Sequence, residues 1–366
     1  MGPFRLFQRL RATIPAIIAS IAQIVFFVAY CSTALAGSGV GLDRIPFIDT
    51  SRNRTLDAHV WYPTNAEATG NYGGNIAFEG FAAAENATIV ARDAPLYLLA
   101  HGTSGNWKNL SWLAARLAAD GAVVVAADHP GYTSGDATPA SVIRMWHQAD
   151  DLKFILGSVL QSKFGPHIDR NKVAVIGYSL GGYSALAAAS AVVDIAKFVQ
   201  FCAVNNDVAC TFFQPAFATL DREYFAAASR NHSIAGISAS VAIAPGLVES
   251  MTPVSTRNIV VPILIVGAEL DRNVPPATHL QPFLKNFPRT TEYAEIPGAK
   301  HFSFMQLCLP GAVKMLAEED AAFVCEDGDG ADRTRIHDEV FGIVSEFLNE
   351  KLRIGKWGSP EPVRSP

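Results

Sequence analysis

The sequence predicts an α/β fold built on a mostly parallel, doubly wound sheet. Three observations carry that prediction. Short apolar runs such as "LYLLA" (96–100) and "GAVVVAAD" (121–128) end in turn residues, amphipathic helical patterns lie between them, and one run passes through "GYSLG" (177–181) into an alanine-rich helix. Parallel strands covered by helices on both faces lose the polar alternation of half-exposed strands. Strands alternating with helices imply crossover connections and a parallel sheet.

The elements follow in order. "TLDAHVWYP" alternates apolar and polar residues as a half-buried strand does. "LYLLAHG" and "GAVVVAADHPG" read as buried strands. Between them "WKNLSWLAARLAADG" has helical spacing at Leu110, Trp112, Leu113 and Leu117, with Gly121 as its stop. "ASVIRMWHQADDLKFILGSVLQS" reads as one longer amphipathic helix. Val173 to Ile176 is a strand, and a helix starts at about Leu180. "SASVAIAPG", "NIVVPILIVGAELD" and "TTEYAEIPGAKH" supply three further strands, and "DRTRIHDEVFGIVSEFLNEKL" closes the fold as a helix. Residues 194 to about 236 break the rhythm with two cysteines and a set of aromatics, and are expected to be an insertion that is either a lid or plain packing.

The chain has 366 residues, 49% of them hydrophobic, enough for a single large core. Net charge is −5 and no lysine- or arginine-rich run occurs, so nucleic acid has no electrostatic footprint to bind. Part of the hydrophobicity is amino-terminal. Arg5, Arg9 and Arg11 precede a stretch without charge up to Asp43, and Ala34-Leu35-Ala36 is a small-residue exit before Gly37. Residues 1–36 thus read as an export signal. The alternative is an uncleaved membrane anchor, since Ala12 to Ala29 is almost long enough to span a bilayer. A lipoprotein site at Cys31 is disfavoured by bulky Tyr30. The expected organisation is a signal (1–36), one α/β domain (37–353) and a tail (354–366).

Ligands of open α/β sheets bind beyond the carboxyl ends of the strands. Ser179 falls at such an end, where Gly177 and Gly181 let strand and helix approach closely and a strained turn lifts the hydroxyl clear. A serine hydroxyl needs a base, and the base an orienting acid. Asp271 lies just past the apolar run "VPILIVGAELD", and His301 lies in the loop after the last strand. The order Ser179, Asp271, His301 is that of α/β-hydrolases. His301 is expected to take the serine proton and Asp271 to fix the imidazole tautomer. The backbone N–H of Leu180 and that of Thr103, with Ser104 second, are the expected oxyanion donors.

Competing residues are assigned other roles. Glu269 sits too near its strand to reach across. His279 and His337 read as surface or packing histidines, Asp128 and His129 as turn formers with Pro130 and Gly131, with a place bordering the site as the alternative, and His101 as a structural residue of the "HGTSG" loop. "CEDGDGAD" fails as a calcium loop, because aligning Gly330 with the required glycine puts Ile336 where the bidentate glutamate belongs; Asp332 reads as a helix N-cap. "GSGVG" follows no strand and is no phosphate loop. No H-E-x-x-H or Walker motif occurs, and neither metal nor cofactor is expected. Asn-x-Ser/Thr sequons at Asn53, Asn86, Asn109 and Asn231 matter only in a host that glycosylates. Signal removal leaves Cys202, Cys210, Cys308 and Cys325, an even count that suggests disulfides. Of three connectivities the expectation is local pairing, Cys202–Cys210 and Cys308–Cys325, with four buried thiols as the alternative.

"RNRTLDAHVWYP", "AHGTSG", "DHPG", "GYSLGG", "GAELDRNVP" and "GAKHFSFMQLC…VC" occur in one order along residues 40–350. In this the chain resembles exported bacterial hydrolases called predicted dienelactone hydrolases, which are similar to platelet-activating factor acetylhydrolases. The resemblance implies a cofactor-free serine esterase with its triad at Ser179, Asp271 and His301, and also disulfides at the four cysteines. True dienelactone hydrolases use a cysteine nucleophile, so that name does not name the substrate here. The expected substrate is a small ester with a short acyl chain or a phospholipid-type acetyl group, with no protein partner evident. Lipase, polyester hydrolase and amidase activities are alternatives on the same triad. A non-catalytic binding protein and a membrane-tethered structural protein are rivals from other classes.

Overall fold

The computed structural model describes residues 39–354. The export signal or anchor, and the tail apart from Ile354, lie outside the described residues. The strands are β1 (Gly39–Asp49), β2 (Arg54–Thr64), β3 (Gly70–Tyr72), β4 (Phe81–Glu85), β5 (Ala94–Ala100), β6 (Val123–Asp128), β7 (Ile168–Tyr178), β8 (Ala239–Ile243), β9 (Ile263–Ala268) and β10 (Glu292–Ile296). They form a 10-stranded sheet in the order β10-β9-β8-β7-β5-β6-β2-β1-β4-β3. From β6 to β10 every pairing is parallel; β2 joins β6 antiparallel and leads into a largely antiparallel edge.

The apolar runs are apolar because both faces are covered. On β5, Leu96, Leu98 and Ala100 join the core under helices Trp146–Gln161 and Leu180–Ala188. Tyr97 and Leu99 point the other way, into the core under helices Ser111–Ala119 and Arg333–Lys351. The alternation of β6 is the same, with Val123 and Val125 on one side and Val124 and Ala126 on the other. These two strands therefore bury their apolar side chains on both faces, and period-2 polarity disappears.

After β5 the chain lays β6 on one side and then returns to lay β7 on the other. This reversal opens a crevice at the carboxyl ends of β5 and β7, where such sheets bind ligands. The loop His101–Gly105 and the turn at Ser179 leave those two neighbouring ends.

Three departures from the sequence reading have physical reasons. No strand was expected before residue 55, yet β1 pairs with the whole length of β2. Glycines and Pro46 mask β1; Gly41 is required there because a Cβ would lie 2.1 Å from the Tyr62 ring. The single helix expected over residues 140–162 is two, Pro139–Val142 and Trp146–Gln161. Carbonyls freed at the break accept from tyrosines: Tyr224 Oη donates to Ile143 O and Tyr132 Oη to Arg144 O. The strand expected from Asn258 begins only at Ile263, as Val260 is 94% exposed and Pro262 offers no N–H.

Residues 194–236 fold as three helices, Ile195–Cys202, Val208–Phe217 and Arg222–Ala228, with Asp194, Asp207 and Asp221 as their N-caps. Asp332 caps Arg333–Lys351 through the Thr334 N–H. Cys202 is bonded to Cys210 and Cys308 to Cys325, across Cα separations of 5.1 and 5.9 Å. In "CEDGDGAD", Asp327 pairs with Arg333, whose guanidinium also donates to Gln306 O and Val324 O and so closes the second disulfide loop. Among the described residues no helix is long and apolar enough to cross a membrane.

Candidate active site

Ser179 stands between β7 and helix Leu180–Ala188 at φ 56°, ψ −116°. A non-glycine residue with positive φ is strained and persists only where its surroundings fix it. Here they do: the Ser179 N–H donates to Ile243 O at 2.9 Å, and Ser179 O accepts from Gly246 N–H at 3.1 Å. The flanking glycines are steric requirements. A Cβ at Gly177 would lie 1.8 Å from Gly181 O, and one at Gly181 would lie 2.1 Å from Ala100 O.

Asp271, three residues past the end of β9, is 5% exposed. Its Oδ1 accepts from the Asn273 and Val274 N–H groups at 2.8 and 2.9 Å, and Oδ2 lies 2.7 Å from His301 Nδ1. Burial by itself would raise the Asp271 pKa; the interaction with His301, with the two amides, outweighs it and holds the carboxyl below its ordinary value. An ionised carboxylate only accepts, so His301 Nδ1 carries the proton. Nε2 is thereby left with its lone pair, 2.9 Å from Ser179 Oγ.

The His301 turn is held from three sides. Tyr178 Oη donates to His301 O at 3.0 Å, Trp112 Nε1 to Phe304 O at 2.9 Å, and His337 Nε2 to Met305 O at 2.8 Å. His337 is buried and stacks on Trp112 at 3.8 Å, which makes it a packing residue. Glu269 is exposed and turned away, accepting from Gly298 N–H.

The loop after β5 touches the elbow closely, since a Cβ on Gly102 would lie 3.0 Å from Ser179 Cβ. His101 Nε2 accepts from His129 N–H, so Nδ1 is protonated and donates to Gly102 O at 2.7 Å. Burial lowers the His101 pKa to about 3 and keeps the ring neutral. Asp128 and His129 do more than turn the chain. Asp128 Oδ1 accepts from Trp107 N–H, and His129 Nδ1 lies 3.0 Å from Asp151, which Arg54 grips with two nitrogens. Sequence reading missed this brace because its members are spread over residues 54–151. The Leu180 N–H is in the first helical turn, where no i−4 partner exists. The Thr103 N–H donates to no acceptor among the described residues, and Ser104 adopts φ 55°.

Ser179, His301, Leu180 and Gly102 to Gly105 all line one cavity of about 460 Å³. Its other lining is mainly apolar: Phe198, Phe212 and Phe213 from the 194–236 segment, and Phe302, Met305 and Phe323 from the chain after β10. His279, expected at the surface or in plain packing, lines this cavity and is buried against two carboxylates. No spacing pattern signals that cluster, because its carboxylates lie 30 and 72 residues away.

Comparison with known proteins agrees with this architecture. A ferulic acid esterase structure from Streptomyces cinnamoneus superposes with a TM-score of 0.55 at 18% identity, over 90% of this chain and 93% of that one, a likeness of fold. Cutinase est1 of Thermobifida alba is 28% identical over 204 residues, 55% of this chain and 51% of that protein. Cutinase 1 of Thermobifida cellulosilytica is 24% identical over 207 residues, 55% and 58% respectively. The chain thus spans about half the length of the curated relatives it matches. A family model described as Alpha/beta hydrolase family matches residues 97–308, from β5 to Cys308, and the chain belongs to that family.

Proposed function

We propose that this chain is a serine hydrolase that cleaves carboxylic esters through an acyl-enzyme. The observation that carries the reading is the continuous hydrogen-bonded line Asp271–His301–Ser179, at 2.7 and 2.9 Å, opening on a largely apolar cavity. Ser179 Oγ attacks the ester carbonyl carbon while His301 Nε2 takes its proton. The carbonyl oxygen becomes an oxyanion that accepts from the Leu180 and Thr103 N–H groups. As the C–O bond breaks, His301 returns the proton to the departing alkoxide and the alcohol leaves. Water then attacks the acyl-serine with His301 again as base, releasing the acid. Asp271 stabilises the imidazolium in both halves and stays ionised.

Short acyl or phospholipid-type acetyl esters are the first substrate choice, following the resemblance to platelet-activating factor acetylhydrolase-like proteins. A lipase- or polyester-hydrolase-type substrate is the second. It is favoured by the name cutinase on the relatives and by Val208 and Phe323, half exposed at 51% and 50% on the cavity's edge. Export, with cleavage near Gly37, one domain over 37–353 and an insertion at 194–236, belongs to the same proposal. Two disulfides fit an oxidising compartment.

The test is hydrolysis of p-nitrophenyl esters of increasing acyl length by wild type and Ser179→Ala. The substitution is expected to lower kcat by roughly 10⁴-fold or more, and the length profile separates the two substrate classes. Equal activity in the two proteins overturns the reading.

A further inference from the structure

Beside the cavity, three titratable side chains that this reaction does not use meet in one largely buried cluster. His279 ends the helical turn Pro276–His279 and is 1% exposed. Its Nε2 lies 2.9 Å from Asp207 Oδ2, its Nδ1 lies 3.1 Å from Glu249 Oε2, and the Phe201 ring meets it edge-on at 4.8 Å. A neutral imidazole has one N–H and satisfies one carboxylate; facing two, the ring is held as the imidazolium and donates to both. Burial alone would lower the His279 pKa, but the hydrogen bonds to Asp207 and Glu249 prevail and raise it to about 9.

The three residues come from three parts of the fold. Asp207 caps helix Val208–Phe217, its other oxygen accepting from Cys210 N–H, and it lies inside the Cys202–Cys210 loop. Glu249 belongs to the turn Val248–Ser250 after β8, with its side chain fully buried. His279 follows β9. The cluster therefore ties the 194–236 segment to the two loops that leave β8 and β9. That segment also supplies Phe198, Val208, Ala209, Phe212 and Phe213 to the cavity. A buried ion cluster is a weak source of stability compared with apolar packing of the same shape, and setting register is the better attested use of one.

We propose that His279 is a positioning residue: clamped between Asp207 and Glu249, it fixes the apolar wall of residues 195–217 relative to Ser179 and thereby sets which acyl lengths the cavity admits. The statement about acyl length rests on the ester-hydrolase reading; the clamp itself does not.

Asp207→Asn tests it. Asparagine caps a helix as well as aspartate does, so the helix start is kept while one charge of the clamp is lost; Glu249→Gln removes the other charge and should act in the same direction. Hydrogen exchange read by mass spectrometry reports the clamp without any reference to activity. Amides of 195–217 are expected to exchange about tenfold faster in either variant, with 180–188 unchanged. Steady-state kinetics on p-nitrophenyl acetate and octanoate report the wall. For Asp207→Asn, acetate kcat is expected to stay within about twofold, while octanoate KM shifts by about fivefold or more. Unchanged exchange at 195–217 overturns the clamp. Changes of equal size on both esters overturn the role in acyl selection. Wild type inactive on both esters contradicts the ester-hydrolase reading instead, and exchange alone then decides the clamp.

Discussion

His301 and His279 line the same cavity, are both buried, and both lie within 3.1 Å of a carboxylate. They are not equivalent. His301 faces one carboxylate through Nδ1 and a hydroxyl through Nε2, so it keeps a lone pair pointed at Ser179 and can receive a proton. His279 faces carboxylates through both nitrogens, is held charged, and has nothing left with which to act as a base. One further carboxylate thus separates a proton acceptor from an electrostatic tie. On the proposed reading the two walls divide accordingly: the serine wall carries the chemistry, and the segment tied by His279 carries the shape.

The largest effect that should separate the two walls is at Asp271. Asp271→Asn removes the group that fixes the His301 tautomer and is expected to lower kcat by about 10⁴-fold, with octanoate and acetate affected alike. His279→Ala should do the reverse. It leaves Glu249 buried without its cation, and a loss of about 3–5 kcal/mol is expected, read as a lower denaturation midpoint, while covalent labelling of Ser179 persists.

A pH titration sharpens the contrast. The His279 pKa is raised to about 9 in the folded chain, above its ordinary value, so its stabilising contribution is complete below the ordinary histidine range and is lost as pH rises through about 9. The Asp271 pKa is depressed, so its contribution is present above the ordinary carboxylate range and is lost as pH falls through the folded value. Thermal melts between pH 6 and 10 should therefore decline at the alkaline end in wild type, and less so in Asp207→Asn. The smallest effect is expected at Glu269. Glu269→Gln removes only the charge of an exposed side chain that accepts from Gly298 N–H, and kcat should remain within about twofold.

The same contrast explains what the sequence made legible. Ser179 and Asp271 could be read because each follows a strongly apolar strand, and His301 because it lies in the loop after the last strand; chain order does the rest. The strands β5 to β9 were equally plain because burial on both faces writes itself as continuous apolar runs. Asp207, Glu249 and His279 were not legible. Each has an ordinary local role, as N-cap, turn residue or end of a helical turn, and their meeting depends on how 194–236 folds back over the sheet. β1 was hidden for a related reason: Gly41 exists to admit the Tyr62 ring, a contact with β2 that no local pattern records. The brace Arg54–Asp151–His129–His101 behind the loop His101–Gly105 likewise needs tertiary neighbours.

The most direct measurement is covalent labelling of the wild-type protein with a fluorophosphonate, followed by peptide mass mapping with and without Asp271→Asn. The account predicts a single phosphonylated residue, Ser179, labelled at a rate that falls by orders of magnitude in the variant. No label, or a label on any other residue, would contradict the assignment of Ser179 as a nucleophile activated by His301.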